Sequence, residues 1–136
     1  MALTVKVITP DKTVWDEQAE EIILPSTTGQ LGILSGHAPL LTALEVGVLR
    51  VRAGQQWKAM AVMGGFAEVE NNDLKILVNG AELGDNINQD SARTEYEQAQ
   101  SLWQQVENTE DRQKKIQAES SLKKARARLQ AAGGMV

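Results

Sequence analysis

The feature that most constrains this fold is a change of hydrophobic period near Gly84-Asp85-Asn86. Before it, short runs rich in Val, Ile, Leu and Thr recur between turn-forming residues, at 4–9, 21–24, 46–52, 57–63, 67–70 and 74–78. Such runs predict strands. In one of them Leu49 and Val51 alternate with Arg50 and Arg52, which puts the apolar pair on one face and both guanidiniums on the other. Ala53-Gly54-Gln55-Gln56 and Asn71-Asn72-Asp73 predict hairpin turns, because Gly and Asn tolerate left-handed backbone. Many short strands at this spacing predict a sandwich or flattened barrel.

Beyond residue 86, steps of three and four replace the alternation. Ala92, Tyr96, Ala99, Trp103 and Val106 form one apolar stripe, and Ala118, Leu122, Ala125, Leu129 and Ala132 form a second. Asn108 or Thr109 is expected to cap the second helix, Glu110 and Asp111 favour its positive end, and Gly133-Gly134 stops it. Two helices joined by a short polar turn predict an antiparallel hairpin. The fold class is therefore α+β by segments: an N-terminal antiparallel β-sandwich or flattened barrel at 1–84, a linker at 85–87 and a C-terminal antiparallel two-helix hairpin at 88–136. The stripes are thin and rich in Ala. At roughly 25 cal/mol per Å² of buried apolar surface, the hairpin is expected to be marginally stable and able to undock.

A chain of 136 residues suits one domain, or one small domain with an appendage. Its five aromatic side chains, Trp15, Trp57, Phe66, Tyr96 and Trp103, leave the core mostly aliphatic. Without cysteine there are no disulfides and no thiolate metal sites. Residues 1–6 lack the basic start and apolar run of a signal peptide, and no apolar stretch approaches the roughly 20 residues of a spanning helix. Membrane association is expected only through a partner. The net charge of −4 hides an asymmetry: seven Lys and Arg stand against seventeen Asp and Glu up to Asp111, and seven against one from Arg112 onward. A basic tail on an acidic body predicts an anionic partner for the tail, or a contact with the body itself.

Residues 24–42 hold two prolines, three glycines and the only histidine, His37. The segment is expected to be a shaped loop, of the kind that carries recognition. No nucleophile or orienting group surrounds His37 and no carboxylates cluster with it, so neither catalysis nor metal binding is expected there. A loop histidine capping a backbone group is the plainer reading. The Gly29-x-x-Gly32 spacing lacks the following Lys-Ser/Thr of a phosphate loop, which leaves turn geometry as its explanation. The basic residues of the second helix read either as a solvated face or as a partner contact; nucleic acid is disfavoured by the acidic body and the lack of interleaved aromatics.

One family combines these pieces. Gly29, Gly32, Ile33, Leu34, His37, Ala38, Pro39 and Leu40, followed by Gly47-Val48-Leu49-Arg50-Val51, Met63-Gly64-Gly65-Phe66-Ala67 and Leu122-Lys123-Lys124-Ala125-Arg126-Ala127-Arg128, resemble the epsilon-subunit family of rotary F-type ATP synthases, in its chloroplast and cyanobacterial branch. The resemblance covers nearly the whole chain. It implies a non-catalytic subunit without cofactor in the central stalk, peripheral on the thylakoid membrane on its stromal or cytoplasmic side, with the gamma subunit, the c-ring and the alpha and beta subunits as partners. It implies that Gln30 and Leu31 meet the c-ring, that His37 meets gamma, and that Lys123, Lys124, Arg126 and Arg128 approach an acidic segment of the catalytic beta subunits. The sandwich would then couple gamma to the ring, and the hairpin would inhibit ATP hydrolysis when extended. Some members bind nucleotide through an Ile/Leu-Asp-x-x-Arg-Ala run. Here the aligned residues are Ile87-Asn88-Gln89-Asp90-Ser91-Ala92, and the loss of the carboxylate and the guanidinium counts against ATP binding. The rival reading is a free-standing β-sandwich binding module with a basic helical tether.

Overall fold

In the computed structural model, which describes residues 2–135, eight strands precede two helices. Met1 and Val136, the outer ends of the two expected segments, lie outside the described residues. The strands are β1 (Leu3–Ile8), β2 (Thr13–Ala19), β3 (Glu21–Ser26), β4 (Gly29–Leu34), β5 (Leu40–Ala53), β6 (Gln56–Glu70), β7 (Asp73–Val78) and β8 (Ala81–Leu83). They run in the order β2-β1-β7-β6-β5-β3-β4, with β8 beside β6. All neighbours are antiparallel except β1 and β7, whose parallel pairing corrects the wholly antiparallel expectation at one place. Both anticipated hairpin turns are present. Gly54 and the pair Asn71-Asn72 take positive φ there.

The sheet folds over on itself to close a sandwich, because β5 and β6 are long enough to belong to both layers. Their side chains change sides partway along. In the first half of β6, Met60 and Val62 enter the sandwich core; in its second half Ala67 and Val69 do so. An unbroken strand cannot place both even and odd residues on one face. The reversal falls at Gly64 and Gly65, both with positive φ. A Cβ on Gly65 would sit 2.0 Å from the Leu77 carbonyl oxygen, so only glycine fits. The expectation of two separate strands, 57–63 and 67–70, thus becomes one hydrogen-bonded strand with a kink.

Three elements differ more sharply from expectation. Residues 24–42 are less a loop than a hairpin: β3 and β4 pair from Glu21↔Leu34 to Ser26↔Gly29 across Thr27-Thr28, leaving only 35–39 irregular. Glycines hid this strand from a propensity argument. β2, with Asp16, Glu17 and Gln18 exposed, is an edge strand that pairs only with β1. β8 is three residues long and held by β6 alone.

A 3-10 turn at Gly84–Asn86 spans most of the expected linker and leads into α1 (Gln89–Val106) and α2 (Arg112–Ala131). Asn88 caps α1 by accepting from the Ser91 amide at 2.9 Å. The cap of α2 is Asp111, which accepts from the Lys114 amide at 3.2 Å, and not Asn108 or Thr109. Thr109 instead donates its hydroxyl to the Val106 carbonyl, closing the end of α1. At the other end Gly133 N–H bonds to Gln130 O and Gly134 N–H to Leu129 O, which terminates α2 at the glycine pair as expected.

The hairpin lies on the sheet. Ala127, Leu129 and Ala131 of α2 and Ala92 of α1 pack with Ile87 and Ala61, flanked by Val46, Val48, Ala59 and Met63. Alternation along β5 makes this possible: Leu49 and Val51 fill the sandwich core, while Val46 and Val48 point the other way, to the helices. The expected α2 stripe is found, with Ala118, Ala125 and Leu129 buried. Ala127 and Ala131 fall outside that stripe, and they are buried as well.

Candidate docking surfaces

The β3–β4 hairpin presents one of the two expected contact residues and retains the other. Ile22, Leu24 and Ser26 of β3 are buried, and across from them Leu31 and Ile33 of β4 face the same interior. Gln30, Gly32 and Leu34 consequently point outward. Gln30 is exposed near the Thr27-Thr28 turn, whereas Leu31 is half-buried and packs against the core. Leu34 is 53% exposed.

His37 stands just beyond, in the irregular segment between β4 and β5. Its Nδ1–H donates to the Ala38 carbonyl oxygen at 2.6 Å. This is the backbone-capping geometry of the plainer reading. The segment is fixed from two sides: His37 N–H bonds to Leu34 O at 3.1 Å, and Gly36 N–H bonds to Asn72 Oδ1 at 2.7 Å. Asn72 reaches across because it sits in a left-handed turn, with φ near 64°.

An apolar row that sequence reasoning missed runs over the outer face of the layer containing β1, β7, β6 and β5. Ala43 opposes Phe66, Phe66 opposes Leu77, and Leu77 opposes Ile8. Phe66 is 57% and Leu77 54% exposed, and Leu41, one row along, is 66% exposed. Such a line of large apolar groups marks a contact surface more often than scattered residues do. The signal was present in Leu74-Lys75-Ile76-Leu77-Val78: Leu74, Ile76 and Val78 are buried, so Leu77 shares the outward phase of Lys75. A shallow depression of about 450 Å³ follows the row, lined by Ile8, Pro10, Phe66, Leu77 and Val78 among others.

The basic residues of α2 do not act alike. Lys123, Lys124 and Arg126 are exposed, and Lys123 pairs with Glu119 at 3.4 Å within the helix. Lys123 and Arg126 border a depression of about 280 Å³ against Glu45, Val46 and Gly47. Arg128 is instead half-buried at the junction of three elements. Its Nε donates to Glu82 of β8 at 3.2 Å and its Nη1 donates to Glu95 of α1. Burial, the largest single influence, pulls the pKa of this guanidinium down, but the hydrogen bond and charge of Glu82, together with those of Glu95, outweigh it and raise it overall.

Asn88 Oδ1, at the position of the acid in the nucleotide motif, is used by the α1 cap, and Ser91 supplies the amide it caps. Among the described residues no three His, Cys, Asp or Glu side chains gather as metal ligands, and no helix is long and apolar enough to cross a membrane. These features define a class: a sandwich with an uncovered apolar face, carrying a basic helical hairpin docked on its other layer.

Comparison with known proteins is consistent from end to end. Residues 2–84 match the beta-sandwich domain of the ATP synthase delta/epsilon chain, and residues 85–133 match its long alpha-helix domain. The ATP synthase epsilon chain of Microcystis aeruginosa is 65% identical over 136 residues, covering all of this chain and 99% of the relative. That of Synechocystis sp. is also 65% identical over 136 residues, with both chains fully covered. A chain from the Euglena gracilis mitochondrial ATP synthase, in a structure of OSCP, F1 and c-ring, shares the fold with a TM-score of 0.81 at 23% identity, over 96% of this chain and 81% of that one. A chain of the Tetrahymena thermophila mitochondrial ATP synthase gives 0.63 at 19% identity, over 96% of each. The protein belongs to the ATP synthase epsilon chain family.

Proposed function

We propose that this chain is a non-catalytic subunit of the ATP synthase central stalk, that its sandwich couples the gamma subunit to the c-ring, and that its hairpin restrains ATP hydrolysis. The observation that carries this reading is the division of the sheet's outer surface. One layer is covered by α2, while the other offers Phe66 and Leu77 exposed beside half-buried Ile8 and Ala43, with the braced His37 segment at its border. A stiff two-layer sheet bearing an apolar face suits a coupling joint that carries torque. Gamma would lie against this row and His37; the c-ring would meet Gln30, with Leu31 anchoring the strand beneath it. The complex would hold the chain peripherally at the thylakoid membrane, on the stromal or cytoplasmic side.

The helical half has the properties of a regulator. Its seat on the sheet is mostly alanine, so docked and undocked states differ by only a few kcal/mol. Once released, α2 would offer Lys123, Lys124, Arg126 and Arg128 to an acidic segment of beta, where clustered charges outweigh isolated surface pairs. Adding the full chain to epsilon-depleted enzyme is expected to suppress ATPase activity, and a truncation ending before Asn88 is expected to bind without suppressing it. Equal suppression by both would remove the hairpin from the mechanism. Calorimetry with ATP at micromolar levels is expected to show no binding.

A further inference from the structure

Five ion pairs are formed among the described residues, and only those of Arg128 connect α2 to other elements. Arg52–Glu21 joins two strands, Lys58–Asp85 joins β6 to the linker, and Lys123–Glu119 stays within one helix. Arg128 takes Glu82 from the sandwich through Nε and Glu95 from α1 through Nη1, using two edges of a planar donor group in two directions. The contact lies beside a close approach between helix and sandwich. A Cβ on Gly84 would fall 2.1 Å from the Ala131 carbonyl oxygen, so α2 rests directly on the chain that follows Glu82.

We propose that Arg128 is the latch of the hairpin: clamped between Glu82 and Glu95 it holds both helices on the sandwich, and it becomes available to a partner's carboxylate only when the hairpin leaves the sheet. The second half of this statement rests on the proposed restraint of hydrolysis; the first half concerns the chain alone. One guanidinium cannot serve both sets of acids, so docking and inhibition compete for the same side chain. An exposed ion pair contributes little by itself, but two carboxylates on one cation beside an apolar seam form a network that opens as a unit. Part of the network is solvent-exposed, so salt weakens the latch.

The test uses the full chain and hydrogen exchange. In Arg128→Leu the α2 amides from Ala125 to Ala131 are expected to exchange about tenfold faster, while those of Leu74 to Val78 in β7 stay as protected as before. Glu82→Gln and Glu95→Gln each give part of the effect, and their combination approaches that of Arg128→Leu. Arg128→Lys, which keeps the charge but not the fork, falls between. Unchanged exchange in α2 for both Arg128→Leu and the double Gln variant overturns the latch. If Arg128→Leu loses protection throughout β7, the Gln variants decide. Inhibition of epsilon-depleted enzyme then separates the two claims: Glu82→Gln frees Arg128 and strengthens inhibition, whereas Arg128→Leu frees the hairpin without strengthening it. Faster exchange with inhibition present but unaltered in every variant leaves the latch standing and rejects its competition with inhibition, whereas no inhibition by any variant rejects the restraint of hydrolysis.

Discussion

Val48 and Leu49 are neighbours on β5, yet they belong to interiors of different kinds. Leu49 joins Leu3, Ile22, Leu24, Ile33, Leu74 and Ile76 in the sandwich, where large aliphatic side chains are closed off on every side. Val48 is half-buried against α2, in a seam where Ala61, Ala92, Ala127 and Ala131 supply most of the buried groups and Leu129 is the only large side chain of the helices buried completely. Fully burying a leucine contributes about 1.5–3 kcal/mol, whereas each methyl-sized group contributes about 0.8 kcal/mol. The two regions therefore differ in strength by their side-chain volume, although both are apolar and continuous through one strand. A small-residue seam allows close approach with little attachment, as the proposed release of the hairpin requires; a large-residue core binds its layers more firmly.

Substitutions that strike one region at a time test this contrast. The largest loss is expected for Gly65→Val, whose Cβ has no room beside the Leu77 carbonyl: destabilisation of about 4 kcal/mol or more, read from urea unfolding of the full chain, with β7 and α2 losing exchange protection together. Retained sandwich stability would show that the β6 kink is not needed to close the two layers. Next comes Leu129→Ala, which removes the main side chain of the seam. It is expected to cost about 2–4 kcal/mol of docking, seen as faster exchange in α2 with β7 unchanged. Equal loss in β7 would mean that the chain unfolds as one unit and the contrast fails. The smallest effect belongs to Asp111→Ala. Loss of the α2 cap should cost about 1 kcal/mol and fray the Arg112 end without undocking the Leu129 end, as measured by exchange at Lys114 and Lys115.

Much of this organisation was legible because periodicity reports which face of an element is covered. The change from steps of two to steps of three and four located both halves, and the Leu49–Arg52 alternation and α2 stripe are found as read. What escaped were elements whose side chains carry little information. β4 is half-hidden by glycine, β2 is a polar edge, and β8 is too short for any pattern. The cap of α2 was misplaced because Asn108, Thr109 and Asp111 are all good capping residues, and only the path of the turn chooses among them. Of the candidate contacts, Gln30 is exposed and His37 half-buried in its loop, whereas the strand register turns Leu31 inward and the fold engages Arg128 within the chain. Composition suggested a contact between the basic tail and the acidic body; it did not say which acids.

The sequence by itself determined the family, the two-part architecture, the charge asymmetry and the residue types that each face would carry, because these depend on local pattern and on order along the chain. Tertiary structure alone decided where the two parts meet. The reversal of faces at Gly64-Gly65, the row formed by Ile8, Phe66 and Leu77 from three separate strands, and the meeting of Arg128 with Glu82 and Glu95 all join residues far apart in the chain. Such contacts depend on how the sheet closes and how the hairpin is laid across it, and no local period encodes that geometry.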